Sequence, residues 1–227
     1  MKPHPAHQAD DPLERQLQAI AGDRVHGAGY LARKALGVLL LVTPESKLAV
    51  AARLAQLRPE MPAIKLAIAE ALAEGDVRQV IRRCDAERRR VARSAMRSLA
   101  RRRVVTISNS SLVSRALVYA NPSQVQVVVD GPEDEGHLLV ADLGAAGISA
   151  TAVRLQEADG EIAVVGCDAV FDDGTFVNRK GTRALVERFP TLVLVDRWKR
   201  IGGPAPDAWL LPCLFELVPG ERVRAPA

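Results

Sequence analysis

The chain has 227 residues, 48% of them hydrophobic, with 31 Lys and Arg against 27 Asp and Glu, a formal charge of +4 and a pI near 9.2. That content predicts a folded core of one large domain or two small ones and excludes a disordered chain; the slight basic excess favours anionic partners only weakly. Cys84, Cys167 and Cys213 are widely spaced, without a Cys-x-x-Cys pair, so neither a disulfide framework nor a zinc site is expected.

Residues 1–11 read as a polar lead-in in which His4 and His7 are solvated side chains rather than metal ligands. The segment lacks the charged-then-apolar order of a signal peptide, and no apolar run approaches the roughly 20 residues that span a bilayer. A reducing cytoplasm is the expected compartment, with no membrane partner. From Pro12 the pattern is helical. Leu13, Leu17 and Ile20 recur at helix spacing, Gly22-Asp23 breaks the run, and a second helix carries Leu31, Ala35, Leu36, Val38 and Leu39. Pro44-Glu45-Ser46 opens a third with Leu48, Val50, Ala51, Leu54 and Leu57, a fourth runs from Ile64 to Ala73, and a fifth from Val77 to Arg101. The fifth sets Val91, Ala95, Met96 and Leu99 on one side. Arg88, Arg89, Arg90, Arg93, Arg97, Arg101, Arg102 and Arg103 lie elsewhere. Aromatic side chains do not accompany the arginines, so they predict a solvated basic face and not a nucleic-acid stripe.

At Val104 the character changes to short β-branched runs, which places a boundary between a helical region, 1–103, and a Rossmann-like region, 104–227. Strands are predicted over Val104–Ser108, Val125–Asp130, Ile148–Leu155, Ile162–Gly166 and Leu192–Asp196, with helices over Leu112–Ala120, Leu138–Ala146 and Ala184–Phe189 between them. This alternation predicts an α/β fold, a parallel sheet with helices on both faces. The stretch from Arg197 onward, rich in proline, reads as irregular, with an edge segment over Leu210–Leu217.

Three strand ends carry polar loops: Thr106 to Ser111, Asp130 to Gly136, and Asp168 with Asn178 to Thr182. In a parallel sheet they gather along one edge, where hydroxyls and free helix-start amides suit an anion, and Gly27 and Arg58 could close such a pocket from above. From spacing alone, ordinary loop and capping residues explain them as well.

The segments His26-Gly27-Ala28, Arg58-Pro59-Glu60-Met61, Thr106-Ile107-Ser108-Asn109-Ser110, Gly166-Cys167-Asp168-Ala169-Val170 and Asn178-Arg179-Lys180-Gly181-Thr182 together resemble the translation initiation factor 2B alpha/beta/delta family. That family includes the methylthioribose-1-phosphate and ribose-1,5-bisphosphate isomerases. The resemblance covers most of the chain, and its most specific piece is Gly-x-Asp-Ala followed by Asn-x-x-Gly-Thr. It implies catalytic positions at Asp168, the acid, and at Ser108. It implies ligand contacts at His26, Gly27, Ala28, Arg58, Asn109, Ser110, Asn178 and Arg179. It further implies a phosphorylated pentose or nucleotide as ligand and a homodimer; the sequence itself gives no sign of a metal or organic cofactor, and none is expected.

Several positions depart from the isomerase pattern. Ser108 stands where the isomerases have a cysteine, and its hydroxyl is far less acidic than a thiol. His26 replaces an arginine, Arg179 a lysine, and Gly131-Pro132-Glu133-Asp134-Glu135 replaces a loop containing Arg-Pro. Cys167 adjoins Asp168 but is expected to face the core. Two functions therefore stand: a sugar-phosphate-binding protein like the aldose-ketose isomerases acting on ribose 1-phosphate-type substrates, and a non-catalytic regulatory or interaction protein like the factor 2B alpha subunit. Ser108 and the acidic loop favour the second; Asp168 and Asn178 favour the first.

Overall fold

The computed structural model describes residues 11–131, 134–210 and 213–224. His4, His7, Pro132, Glu133 and the first part of the expected edge segment, 211–212, lie outside the described residues.

Helices α1 (Pro12–Ala21), α3 (Pro44–Leu54) and α4 (Pro62–Glu74) each begin on a proline, whose fixed φ and missing N–H suit the first helical position. Asp11 caps α1, its side chain accepting the Leu13 amide at 2.9 Å, and Asp76 caps α5 (Val77–Ser94) through Gln79 at 2.9 Å. Between them, α2 (Ala28–Leu41) is apolar on most of its circumference and lies in the middle of the helical core. Leu31, Ala32, Ala35, Leu36 and Leu39 pack there with Ile64, Ala67, Ile68 and Ala71 of α4.

The single helix expected from Val77 to Arg101 is two. It stops at Ser94, and α6 (Met96–Leu99) is one further turn. Two demands divide it: Val80 and Cys84 belong to the helical core, whereas Ala92, Ala95 and Leu99 belong to the core beneath the sheet. Ser94 Oγ donates back to the Val91 carbonyl at 2.8 Å, a side-chain bond that competes with the helix at the break. Arg88 also departs from the expected solvated face, being buried against Asp196.

The strands are β1 (Arg103–Ile107), β2 (Gln124–Val128), β3 (Ala150–Val153), β4 (Ile162–Val165), β7 (Thr191–Val193) and β9 (Val223–Arg224). Among the described residues these six form one parallel sheet in the order β3-β2-β1-β4-β7-β9. Helices α7 (Ser111–Ala120) and α8 (Gly136–Ala145), with the second half of α5, cover one face. The other face carries α9 (Thr182–Arg188) and a second sheet, antiparallel, built from β5 (Ala169–Val170), β6 (Phe176–Arg179) and β8 (Phe215–Val218). Helices do stand on both faces, but the second face has little helix because β3 reaches β4 through only a 3-10 turn at Leu155–Glu157. Phe176 and Val218 fill that side of the core instead. Ala169, Phe171, Val177 and Phe215 turn toward the helical core, so the small sheet joins the two regions. Among the described residues no helix is long and apolar enough to cross a membrane.

Candidate functional site

The chain runs β1, β2, β3 outward in one direction and β4, β7, β9 in the other, so the direction of winding reverses between β1 and β4. At such a switch point the loops leaving the carboxyl ends of the two strands diverge and open a crevice. Here those loops are Ser108–Ser110 after β1 and Gly166–Asp168 after β4. The start of α2 and the Arg58 turn lie over them, and β6 and Lys199 form a wall. Together they line one cleft of about 490 Å³, its open mouth included.

Asp168 is the buried acid of this cleft, 6% exposed. Its amide donates to Val177 O at 2.8 Å, which ties the loop to β6, and its Oδ1 accepts the Ala28 amide at 3.3 Å. That amide belongs to the first turn of α2, where Gly27 is the N-cap without a side chain to satisfy the free donors, so the helix presents partial positive charge to the carboxylate. Burial, the largest influence, nevertheless raises the Asp168 carboxyl above its ordinary value. Lys199, the Ala28 amide, Arg179 and Arg58 pull it down without cancelling that effect.

Of the expected ligand groups, His26, Gly27, Arg58, Asn109, Ser110, Asn178 and Arg179 line this cleft, and Ala28 meets it through the amide that Asp168 accepts. Arg58 is 3% exposed, and its guanidinium bonds Glu60 and the Asp23 carbonyl. His26 Nδ1 lies 2.9 Å from Asp23 Oδ2, and the ring stacks on Tyr30 at 4.0 Å. Burial pushes Asp23 upward, yet bonds from the His26 and Val25 amides and the His26 ring leave it below the usual carboxylate range. Asn178 Nδ2 donates to Thr182 Oγ1 at 3.2 Å, and Thr182 in turn donates to the Arg179 carbonyl at 2.6 Å. Gly181, which caps α9 at φ +96°, makes that tight reversal possible because a side chain there is strained. Ser110 spends its oxygen on capping α7, accepting from Val113 N at 3.4 Å, while Asn109 stays on the cleft wall. Ser108 sits at φ +68°, in the left-handed region, and its hydroxyl donates to Glu135 Oε1 at 3.1 Å.

Three further groups stand in the cleft, of which the sequence pointed only to Glu135, as a member of the acidic loop. Glu135 enters from the turn before α8 and pairs with Arg179. Lys199, 4% exposed, comes from the 3-10 turn Arg197–Lys199, with Nζ 3.9 Å from Asp196 Oδ2. Arg24 stands beside His26. A signal for Lys199 was present, because Asp196 ends a strand as Asp168 does and is followed by cations, but the proline-rich surroundings read as irregular. Cys167 borders the cleft while packing into the core, where burial pushes its thiol up to about 12, so it is a neutral thiol and no nucleophile. Among the described residues no group of three or more His, Cys, Asp or Glu is placed to hold a metal ion.

Solved structures with this fold include the Pyrococcus horikoshii OT3 translation initiation factor eIF-2B, with a TM-score of 0.80 and 19% identity over 95% of this chain and 94% of that one. A chain of the tetrameric eIF2B-beta2-delta2 complex from C. thermophilum aligns with a TM-score of 0.66 and 19% identity, covering 93% and 87%. The 5-methylthioribose 1-phosphate isomerase of P. horikoshii OT3 aligns at 0.68 and 15% identity, covering 93% and 81%. At such identities the likeness is one of fold. No curated protein matches the sequence. The profile of the Initiation factor 2 subunit family, IF-2B, matches residues 64–187, more than half of the chain and including Ser108 and Asp168, and the protein belongs to that family.

Proposed function

We propose that this protein binds a phosphorylated pentose or nucleotide in the switch-point cleft and handles it as the family's aldose-ketose isomerases do, with Asp168 as the acid. One observation carries the reading: a buried carboxyl whose hold on its proton is strengthened by burial lies against the start of α2, in a cleft shared with Arg58, Asn178, Arg179 and Lys199. The helix end and the cations suit a phosphate, and the carboxyl suits a ring oxygen. An aldose with phosphate on its anomeric carbon cannot open its ring unaided. Asp168 gives its proton to the ring oxygen, the bond from C1 to that oxygen breaks, and hydrogen moves from C2 to C1 with its electron pair. The C2 hydroxyl then returns a proton to Asp168, so the step needs no oxidant or cofactor.

Ser108 supports a second, non-catalytic reading, that of a regulatory or interaction subunit. Its hydroxyl is occupied by Glu135, and it lacks the acidity of the cysteine it replaces. In either case a second copy is the expected partner, and the cytoplasm is the expected compartment.

The test is thermal melting with ribose 1-phosphate, methylthioribose 1-phosphate and nucleoside monophosphates. A ligand at a hundred times its Kd stabilises the folded state by about 2.7 kcal/mol. A rise in Tm that disappears in Arg58→Ala and Asn178→Ala supports the ligand site. Turnover of the bound pentose phosphate that disappears in Asp168→Asn supports the isomerase reading, and binding without turnover leaves the regulatory one.

A further inference from the structure

Besides Asp168 the cleft carries a second carboxylate of the protein's own. Glu135 Oε1 accepts from Ser108 and Oε2 pairs with Arg179, and the Glu135 side chain is 10% exposed against 24% for Arg179. Glu135, Ser108 and Arg179 line both the main cleft and a second hollow behind it, whose other walls include Asp130, Asp134 and Lys180. Glu135 is therefore the partition between the two spaces. Its neighbour Asp134 cannot swing aside easily, because it accepts the amides of Gly136 at 2.7 Å and Asp130 at 3.1 Å. At the start of α2, where Asp168 takes the Ala28 amide, Arg24, His26 and Arg58 line the same cleft. The α2 side thus gathers Arg24 and Arg58, whereas Ser108 and Arg179 already hold the Glu135 carboxylate.

We infer that Glu135 is a specificity-determining residue which limits the site to monophosphorylated ligands: one phosphate at the α2 end, and an uncharged, hydroxyl-bearing end toward Glu135. This rests on the pentose phosphate reading above and narrows it. A carboxylate has about four acceptor positions, of which Ser108 and Arg179 use two, so it can still receive ligand hydroxyls. A second phosphate there would meet Glu135 directly, with Asp130 and Asp134 behind it, and would have to take Arg179 from its partner. Like charges juxtaposed at a binding interface cost several kcal/mol, and each 1.4 kcal/mol is tenfold in affinity.

The experiment is calorimetric titration of the wild type and Glu135→Gln with ribose 1-phosphate and ribose 1,5-bisphosphate, the melting temperature of each protein being measured alongside. The wild type is expected to bind the monophosphate at least about tenfold more tightly than the bisphosphate, and Glu135→Gln to bring the two within about threefold or to reverse them. Equal or tighter binding of the bisphosphate by the wild type overturns the inference and leaves the pentose phosphate site standing. An unchanged ratio in a folded Glu135→Gln does the same. Failure of both ligands to bind either protein overturns the pentose phosphate reading itself, and this inference with it. The comparison within the wild type needs no variant, so it decides the matter even if Glu135→Gln is poorly folded.

Discussion

Asp168 binds its proton more firmly in the folded chain than in the unfolded one, and that has a consequence for stability as well as for chemistry. Its folded value is raised above the ordinary 3.8, so the native state is favoured most fully below that value. Stability is lost as pH rises through the raised folded value and is constant beyond it. Asp168→Asn keeps the shape and removes the charge. The variant is expected to melt higher than the wild type above that window, to show a shallower pH dependence across it, and to have no turnover of a pentose phosphate. Melting curves collected across the acid range decide the first two; a variant melting below the wild type at neutral pH would mean that Lys199 and the α2 amides outweigh burial.

At the scale of elements, the helix carrying the arginines holds the two regions together through one of them. Arg88 lies midway along α5, donates to Asp196 Oδ2 at 2.9 Å and to Ser111 Oγ at 2.8 Å, and so ties α5 to the end of β7 and the start of α7. The other oxygen of Asp196 has no hydrogen-bond partner among the described residues, which leaves the carboxylate dependent on this pair and on the more distant Lys199. Removing one member of a buried ion pair leaves the other uncompensated, so Arg88→Ala is expected to lower stability by about 3–5 kcal/mol in denaturant unfolding. A loss within about 0.5 kcal/mol, the range of neutral surface changes, would refute the role. Gly29 belongs to the same arrangement. A Cβ there would stand 1.9 Å from Arg88 Nη1, which is why α2 carries glycine in its first turn, where the guanidinium crosses.

For the molecule as a whole, the paired assembly implied by the family is tested by light scattering, which for a homodimer gives twice the 24.5 kDa of one chain; a mass of one chain at micromolar concentration would exclude it. The sheet and its helices were legible because β-branched runs alternate with amphipathic ones. The antiparallel sheet was not: β5 has two residues, and β8 follows a proline-rich stretch that carries no period of either kind. Asp168, Asn178 and Arg179 were legible because a strand end followed by a carboxylate and a basic loop is a local pattern. Glu135 was visible only as one acid of an exposed-looking loop, since its meeting with Arg179 spans 44 residues and depends on where α8 begins. Arg88 was read with its neighbours as surface because periodicity shows which side of a helix is apolar and not what opposes the polar side.

The cleft wall contributed by β6 is completed from much later in the chain. Arg179 pairs with Phe215 in the small sheet, Lys180 donates its amide to Leu214 at 2.9 Å, and Leu214 and Phe215 themselves line the cleft. During synthesis the parallel strands through β7 and the groups around Asp168, namely Ala28, Arg58, Arg179 and Lys199, leave the ribosome before this segment does. A nascent chain can thus hold its acid, its helix end and its cations, and still have an unfinished wall. The wall beside Arg179 and Lys180 is closed only when Leu214 and Phe215 have been made.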